Sequence, residues 1–375
     1  MKILIIAHDF PPNPGGIAIF VHNLCLQLTR LGHKVTVLTI YRDNFREFDR
    51  QQPYTIYRYS RSKVLSSIKP LFKTLYLYCK NHYDLVFLGH FAASSVLGAV
   101  ILRKLFGVPY IILSHGNDLQ ILSSSKLDYL EGKIIINNSS VILGNSRFTS
   151  NWIKRISPKS NIDTLNPGVD LEQFKPIMDI DKTKQQYNLH KYKILLTIAR
   201  LVPRKNIDKV IRALPKVLEK VSDVLYVIVG DGCERGSLEN LVAAKKLEKH
   251  VRFVGYVEHD LVPSLFYASD IYISPSLIET FGISLIEAAA SFKPVIASKI
   301  GGIEDAVIDG ETGVLVDPNN IDQIANAAIQ LLTDEGFRRK LGENGRRRVE
   351  QLFSWEKVGE RLDKIISEVV NNEQI

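Results

Sequence analysis

Two carboxylates frame the stretch Ser276–Ala290, which reads SLIETFGISLIEAAA. Glu279 and Glu287 stand on either side of Thr280-Phe281-Gly282. The preceding DIYISPS is an apolar strand that ends in Ser-Pro-Ser. The following ISLIEAAA is rich in helix formers, with apolar residues at Ile283, Ile286 and Ala290. Glu279 is therefore expected in a strand-to-helix loop, Glu287 in the second helical turn, and Gly282 at the helix start. Unpaired N–H groups and the positive dipole end at such a start favour an anion such as a phosphate. A carboxylate beside it is a strong acceptor for a sugar hydroxyl. Together these groups suit a sugar nucleotide. Taken alone, the pair suits a helix cap and a solvated glutamate equally well.

Three further sets of residues could share that chemistry. KILLTIAR-LVPRKN places Arg200 at a strand end and Lys205, followed by Asn206, at a helix start. Two cations on the ligand edge of a sheet can stabilise a diphosphate as negative charge builds on it, although surface charge is the plainer reading. YIILSHGND sets His115 at the carboxyl end of a strand, just before Gly116, where open α/β sheets bind ligands. DFPPNPGG brings Gly15 and Gly16 to the start of a helix, where backbone amides can approach a ligand closely or simply make a tight turn.

The elements that position these residues follow from periodicity. KILIIAH is a strand. In GIAIFVHNLCLQLTRLG, Ile17, Phe20, Val21, Leu24, Leu28 and Leu31 mark an amphipathic helix closed by Gly32, and KVTVLTI is the next strand. This βαβ unit implies a parallel sheet. Further strands are expected at 85–90, 110–118, 141–146, 193–200, 224–229, 251–256 and 270–276, with two more around Gly301-Gly302. The loop after the first strand lacks G-x-G-x-x-G and is long and Pro-rich, which disfavours a dehydrogenase. The 375 residues favour two domains. Three scattered cysteines suggest a reducing compartment and no metal site. No apolar run is long enough for a transmembrane helix, and MKILIIAHDF reads as a buried strand rather than a signal peptide. A cytoplasmic chain is expected.

The order PP-x-x-GG, HG-x-D, NPGVD, R-x4-K and E-x7-E, spread over nearly the whole chain, resembles the retaining glycosyltransferases of the GT-B fold, glycosyltransferase family 4. The resemblance implies an α/β architecture of two Rossmann-like domains facing across a cleft. The first would span 1–170, completed by a terminal helix of about 356–375 that crosses back onto it. The second, nucleotide-sugar-binding domain would span 171–355. The implied reaction moves a sugar from a UDP- or GDP-sugar to an acceptor hydroxyl with retention, the departing phosphate acting as base. The implied roles give the sugar to His115 and Glu279, and the ribose to Glu287. Arg200 and Lys205 take the diphosphate, with Asn206 beside them. Gly16, Phe281, Gly282 and Ile283 supply helix-start contacts, and backbone near Tyr256 and Val257 reads the base. Gly15 and Asp118 lie on the acceptor side. No cofactor and no catalytic metal are implied. Asp179-Ile180-Asp181 formally matches a metal-holding DxD, but it falls in the linker and is read as chance. Domain closure would complete the site and exclude water.

The charge of +8 is uneven: residues 1–175 carry 21 Lys and Arg against 11 Asp and Glu. The excess peaks in Arg50–Tyr83, which has seven basic residues and no acid. Within it, VLSSIKPLFKTLYLYCKNHY mixes lysines with aromatic residues. It reads either as a helix buried against the first sheet or as a contact for an anionic membrane surface. A peripheral location at the inner membrane face would follow from the second reading. No nucleic-acid motif accompanies the charge. Arg346-Arg347-Arg348 reads as a solvated helix face. The acceptor is expected to be lipid-linked, a polysaccharide or a small molecule, and the basic half tilts the expectation toward envelope glycan or glycolipid synthesis. Two alternatives use the same sequence features: a hydrolysing nucleotide-sugar epimerase and a non-catalytic membrane-surface binding protein.

Overall fold

Short runs of Ile, Leu and Val with no alternating polar residue call for strands covered on both faces, the condition of a parallel sheet wrapped by helices. The computed structural model describes residues 1–12, 15–60, 68–91, 93–116, 118–119, 126–176 and 180–373. It contains two such sheets, each in its own unit: Met1–Gly168 with Trp355–Ile375, and Val169–Ser354.

In the first unit the strands are β1 (Lys2–Ile6), β2 (Lys34–Ile40), β3 (Thr55–Tyr59), β4 (Leu85–Leu88), β5 (Tyr110–Ser114), β6 (Val141–Gly144) and β7 (Ile162–Thr164). They pair in the order β3-β2-β1-β4-β5-β6-β7, all parallel. Alternate side chains feed two cores. Ile3 and Ile5 pack with helix α1 (Gly16–Arg30), and Leu4 and Ile6 pack on the opposite face. Helices α3 (Ile68–Asn81) and α4 (Ala93–Phe106) cover that second face. Residues 41–60, which carry no clear periodicity, supply the short helix α2 (Phe45–Arg50) and the edge strand β3. The tertiary ladder to β2, with Ile56 opposite Val37, makes β3 a strand. Residues 61–67 of the basic stretch lie outside the described residues.

The terminal helix Trp355–Glu373 packs on α1 within the first unit. Val358, Leu362, Ile365, Ile366 and Val369, spaced at three and four, join the core beneath it. Gly168, in the NPGVD segment, lies where a Cβ would stand 2.6 Å from the Trp355 ring, so only glycine fits.

In the second unit the strands are β8 (Lys193–Ile198), β9 (Val224–Val229), β10 (Val251–Gly255), β11 (Ile271–Ser274), β12 (Val295–Ser298) and β13 (Gly313–Val316). Their order is β10-β9-β8-β11-β12-β13, again parallel. Arg346 and Arg348 correct the expectation of a solvated face. Arg346 donates to the carbonyls of Phe174 and Ala290, and Arg348 donates to that of Asp305. Helix Glu335–Leu352 turns these two guanidiniums inward to serve carbonyls left free at loop and helix ends, which charge counting alone does not reveal.

His22 of α1 shares a 2.5 Å hydrogen bond with the Tyr54 hydroxyl. Burial lowers the His22 pKa to about 4. The unfolded chain therefore takes up a proton that the folded chain refuses. The stability tied to the neutral ring is complete above about pH 6.5 and is lost as pH falls toward 4. A loss of about 2 kcal/mol is expected between pH 7 and pH 5. Thermal melts at both pH values should show this drop, and His22→Gln should show a smaller one.

Candidate active site

In each sheet the connections leave one pair of neighbouring strands in opposite directions, and open α/β sheets bind ligands in the crevice at the carboxyl ends of that pair. In the second unit the pair is β8 and β11. Arg200 and Lys205 follow β8, and the loop with Glu279 follows β11. The topology thus brings two segments more than 70 residues apart to one edge.

Their backbones are tied together. Leu277 N–H donates to the Arg204 carbonyl at 2.8 Å, and Arg204 Nη1 donates to the Ile278 carbonyl at 3.4 Å. Asn206 takes the left-handed conformation (φ 57°) ahead of helix Ile207–Leu218. Its Nδ2 donates to the carbonyls of Pro275 and Pro318, at 3.0 and 2.7 Å. This buried amide braces the ends of the loops at Pro275 and Pro318 against its own. Lys205 Nζ then meets Glu279 Oε2 at 2.6 Å, with both side chains 15% exposed. Arg200 is exposed, with no side-chain partner among the described residues.

Gly282 (φ 89°) precedes helix Ile283–Ala290, whose first turn has no side-chain cap and no acid. Any Cβ there would meet Leu285 Cδ1 at 2.7 Å. The Phe281 ring is buried edge-on against Phe353, which leaves its backbone for a ligand. Gly302 N–H donates to the Glu279 carbonyl at 3.2 Å, so the Gly301-Gly302 loop shapes the glutamate's backbone. Glu287 sits in the second turn, and His259 Nε2 approaches its carboxylate at 3.4 Å. That carboxylate holds the His259 imidazole above its ordinary pKa, against the opposing effect of burial. Sequence reasoning misses His259, a lone histidine in a loop with no motif around it.

On the same edge the backbone crowds closely. Gly230 (φ 120°) stands where a Cβ would be 2.0 Å from the Ala199 carbonyl oxygen, and its N–H donates to the Gly255 carbonyl at 2.7 Å. This draws the ends of β8, β9 and β10 together. Tyr256 follows with its side chain 72% exposed, while Val257 packs on the core beside it.

In the first unit the crevice lies between β1 and β4, with β5 next. His8 follows β1, His90 follows β4 and His115 follows β5. His115 is buried, and its Nε2 lies 2.9 Å from the Gly89 carbonyl. A carbonyl only accepts, so Nε2 carries the proton and Nδ1 holds a lone pair. Burial keeps the His115 pKa below its ordinary value, only partly offset by the Asp118 carboxylate. The rings of His8 and His90 meet edge to face at 5.3 Å. Burial, with His8 and His115 nearby, lowers His90 to about 3. No local motif marks His8 or His90 in the sequence, because only the sheet order brings them beside His115. Gly15 and Gly16 are exposed at an α1 start that has no side-chain cap and no acid in its first turn.

Asp118 is buried beside His115. Its carboxylate accepts from the Ser114 hydroxyl at 2.8 Å and from the N–H groups of His115 and Phe91 at 3.2 and 3.3 Å. Asp118 therefore positions the loop that carries His115. Asn117, Asn13, Pro14 and Asp179 lie outside the described residues. Among the described residues, no group of three or more His, Cys, Asp or Glu is placed to hold a metal ion.

Two parallel α/β units with their polar side chains at the strand switch points define the class of a GT-B glycosyltransferase. The comparisons with known proteins agree. Residues 14–173 match the family described as "Glycosyltransferase Family 4", and residues 179–348 match "Glycosyl transferases group 1". The chain belongs to glycosyltransferase family 4, and glycosyl transfer is its activity. It is 28% identical over 378 residues to a GDP-mannose-dependent alpha-(1-6)-phosphatidylinositol monomannoside mannosyltransferase of Mycolicibacterium smegmatis, covering 97% of this chain and 98% of that one. It is 26% identical over 376 residues to the N-acetyl-alpha-D-glucosaminyl L-malate synthase of Bacillus anthracis, covering 97% and 96%. Among solved structures, sucrose-phosphate synthase from Thermosynechococcus elongatus superposes with a TM-score of 0.83 at 26% identity, covering 99% of both chains. Anabaena HepE in complex with UDP gives 0.83 at 22% identity, covering 98% of this chain and 100% of that one, a likeness of fold alone.

The two kinds of residue separate on stability. Asp118→Ala removes the acceptor of several buried donors and should lower stability by about 1–3 kcal/mol. Glu287→Gln, whose partner is half-exposed and distant, should change it by less than about 0.5 kcal/mol. Urea melts of both variants check this, and equal losses would show that Asp118 has no special bracing role.

Proposed function

We propose that the protein transfers a sugar from a nucleotide-sugar donor, a UDP- or GDP-sugar, to an acceptor hydroxyl with retention at the anomeric carbon. The observation that carries the donor reading is the Lys205–Glu279 pair at the β8/β11 edge, beside an uncapped helix start and the exposed Arg200. Arg200 and Lys205 receive the diphosphate, where charge grows as the glycosidic bond breaks. N–H groups near Gly282 and Ile283 add donors to it. Glu279 accepts from the sugar hydroxyls, and Glu287 accepts from the ribose. Backbone near Tyr256 and Val257 meets the base, and the α1 start at Gly15 and Gly16 offers N–H groups to phosphate or acceptor. His115, neutral and with its Nδ1 lone pair free to accept, steadies the sugar.

In this reaction the anomeric C–O bond to the phosphate breaks and a C–O bond to the acceptor forms on the same face. The acceptor proton passes to the departing phosphate oxygen. The two carboxylates of a retaining hydrolase lie about 5–5.5 Å apart, one of them a nucleophile. Glu279 is instead ion-paired to Lys205, a partnership that suits binding better than attack. The relatives' names support sugar transfer onto glycolipid and small-molecule acceptors. A role in envelope glycan or glycolipid synthesis fits the first of these.

The donor is tested by thermal shift with UDP, GDP, ADP and their sugar conjugates, on wild type and Lys205→Ala. A ligand of the folded state at 100 times its dissociation constant adds about 2.7 kcal/mol. One nucleotide should raise the wild-type melting temperature, and Lys205→Ala should lose the rise. No rise with any nucleotide at saturation would overturn the donor assignment. With the donor in hand, release of free nucleotide and sugar rearrangement without an acceptor would mark the epimerase instead.

A further inference from the structure

The two carboxylates of the second unit are held very differently. Glu279 is fixed by Lys205 at 2.6 Å. Glu287, on helix Ile283–Ala290, has a single side-chain hydrogen bond among the described residues, between its Oε1 and His259 Nε2 at 3.4 Å. A carboxylate only accepts, so His259 Nε2 carries the proton. The Glu287 side chain is 13% exposed and that of His259 is 50% exposed. A long contact with a half-exposed partner adds little to stability. Its effect is on orientation: Oε1 is engaged, and Oε2 is left to accept from another donor.

The imidazole is itself held from other sides. Gln173 Nε2 donates to His259 Nδ1 at 2.9 Å. When the ring is protonated, the same amide turned over presents its oxygen to Nδ1–H, so Nε2–H stays on Glu287 in either charge state. The buried Phe174 ring meets the imidazole edge to face at 6.3 Å. The segment that carries Gln173 and Phe174 is anchored in turn. Asp170 Oδ1 accepts from the N–H groups of Glu172 and Gln173 at 2.9 and 3.2 Å. The Phe174 carbonyl accepts from the Tyr267 hydroxyl and Arg346 Nη1, both at 3.1 Å. His259 also opens the short turn His259–Leu261, just after Tyr256 and Val257 at the end of β10. One ring thus joins the Asp170–Phe174 segment, the loop after β10 and the helix after β11.

We propose that His259 is a positioning residue of the donor site: by donating from Nε2 to Glu287 Oε1, it aims Oε2 at the ribose hydroxyls of the nucleotide. The inference rests on the reading of Glu287 as the ribose acceptor and deepens it. A glutamate side chain left to rotate must give up that freedom when a ligand binds, and one already held gives up less. A carboxylate is a strong acceptor for hydroxyls that meet its free oxygen, so its orientation decides how much of that strength the ribose receives. The rival role is structural, with His259 only fastening the loop after β10. That role would affect every nucleotide alike, because it does not pass through the ribose.

The test compares dissociation constants of the full chain for UDP and GDP with those for their 2′,3′-dideoxy forms, which lack both ribose hydroxyls. Wild type should bind the preferred ribonucleotide about ten-fold or more tightly than its dideoxy form. His259→Ala should weaken the ribonucleotide about five-fold or more, leave the dideoxy form nearly unchanged and keep the melting temperature of the free protein. In a Glu287→Ala background the same change should cause no further loss. The proposal is overturned, with the donor reading intact, if His259→Ala keeps the wild-type preference for the ribonucleotide. It is overturned in the same way if His259→Ala weakens both forms equally, or if it still weakens the ribonucleotide when Glu287 is gone. Equal wild-type affinity for the two forms would overturn the ribose role of Glu287 and this inference with it. No binding of either nucleotide to wild type would overturn the donor reading as a whole.

Discussion

A parallel sheet whose connections leave in opposite directions from one pair of strands must open a crevice at the carboxyl ends of that pair, because no helix can cross there. Both units obey this constraint, at β1/β4 and at β8/β11. The polar residues of interest depend on it. Lys205 and Glu279 form an ion pair only because β8 and β11 are neighbours. His90 and His115 come together only because β4 and β5 are neighbours.

The two crevices differ electrostatically. In the second unit, charges are kept: Lys205 faces Glu279, Glu287 faces a histidine whose proton affinity it raises, and Arg200 is open to solvent. Charged groups near the surface suit a polyanion, because a phosphate can replace one partner without stranding the other in a dry interior. In the first unit, burial suppresses charge. His115 and His90 are held neutral. Neutral imidazoles hydrogen-bond to hydroxyls without attracting anions, and Asp118 sets the His115 loop by accepting from backbone and hydroxyl donors.

Glycines mark where the backbone itself must pass. Gly230 has room only for hydrogen beside the Ala199 carbonyl, and Gly168 only for hydrogen beside the Trp355 ring. The first draws strand ends into one edge. The second seats the terminal helix on the unit that holds the chain's beginning, and so builds one core from residues at opposite ends of the chain.

The α/β class, the family and the core strands are legible in the amino-acid sequence alone, since parallel strands and amphipathic helices write their periods directly into apolar residues. So is the placing of Glu279, Gly282, Glu287, Arg200 and Lys205 on loops and helix starts, because strand, glycine and helix-former signals are local. The short edge strand β3 is not legible, since its conformation is set by the ladder to β2 rather than by its own pattern. Nor are the inward turn of Arg346 and Arg348 or the bracing roles of Asn206, Asp118 and Phe281, since hydrogen-bond partners and burial are set by distant segments. The grouping of His8, His90 and His115 and the approach of His259 to Glu287 come only from the folded arrangement. Each rests on which strands and helices become neighbours, and neighbours far apart in the chain leave no periodic trace in it.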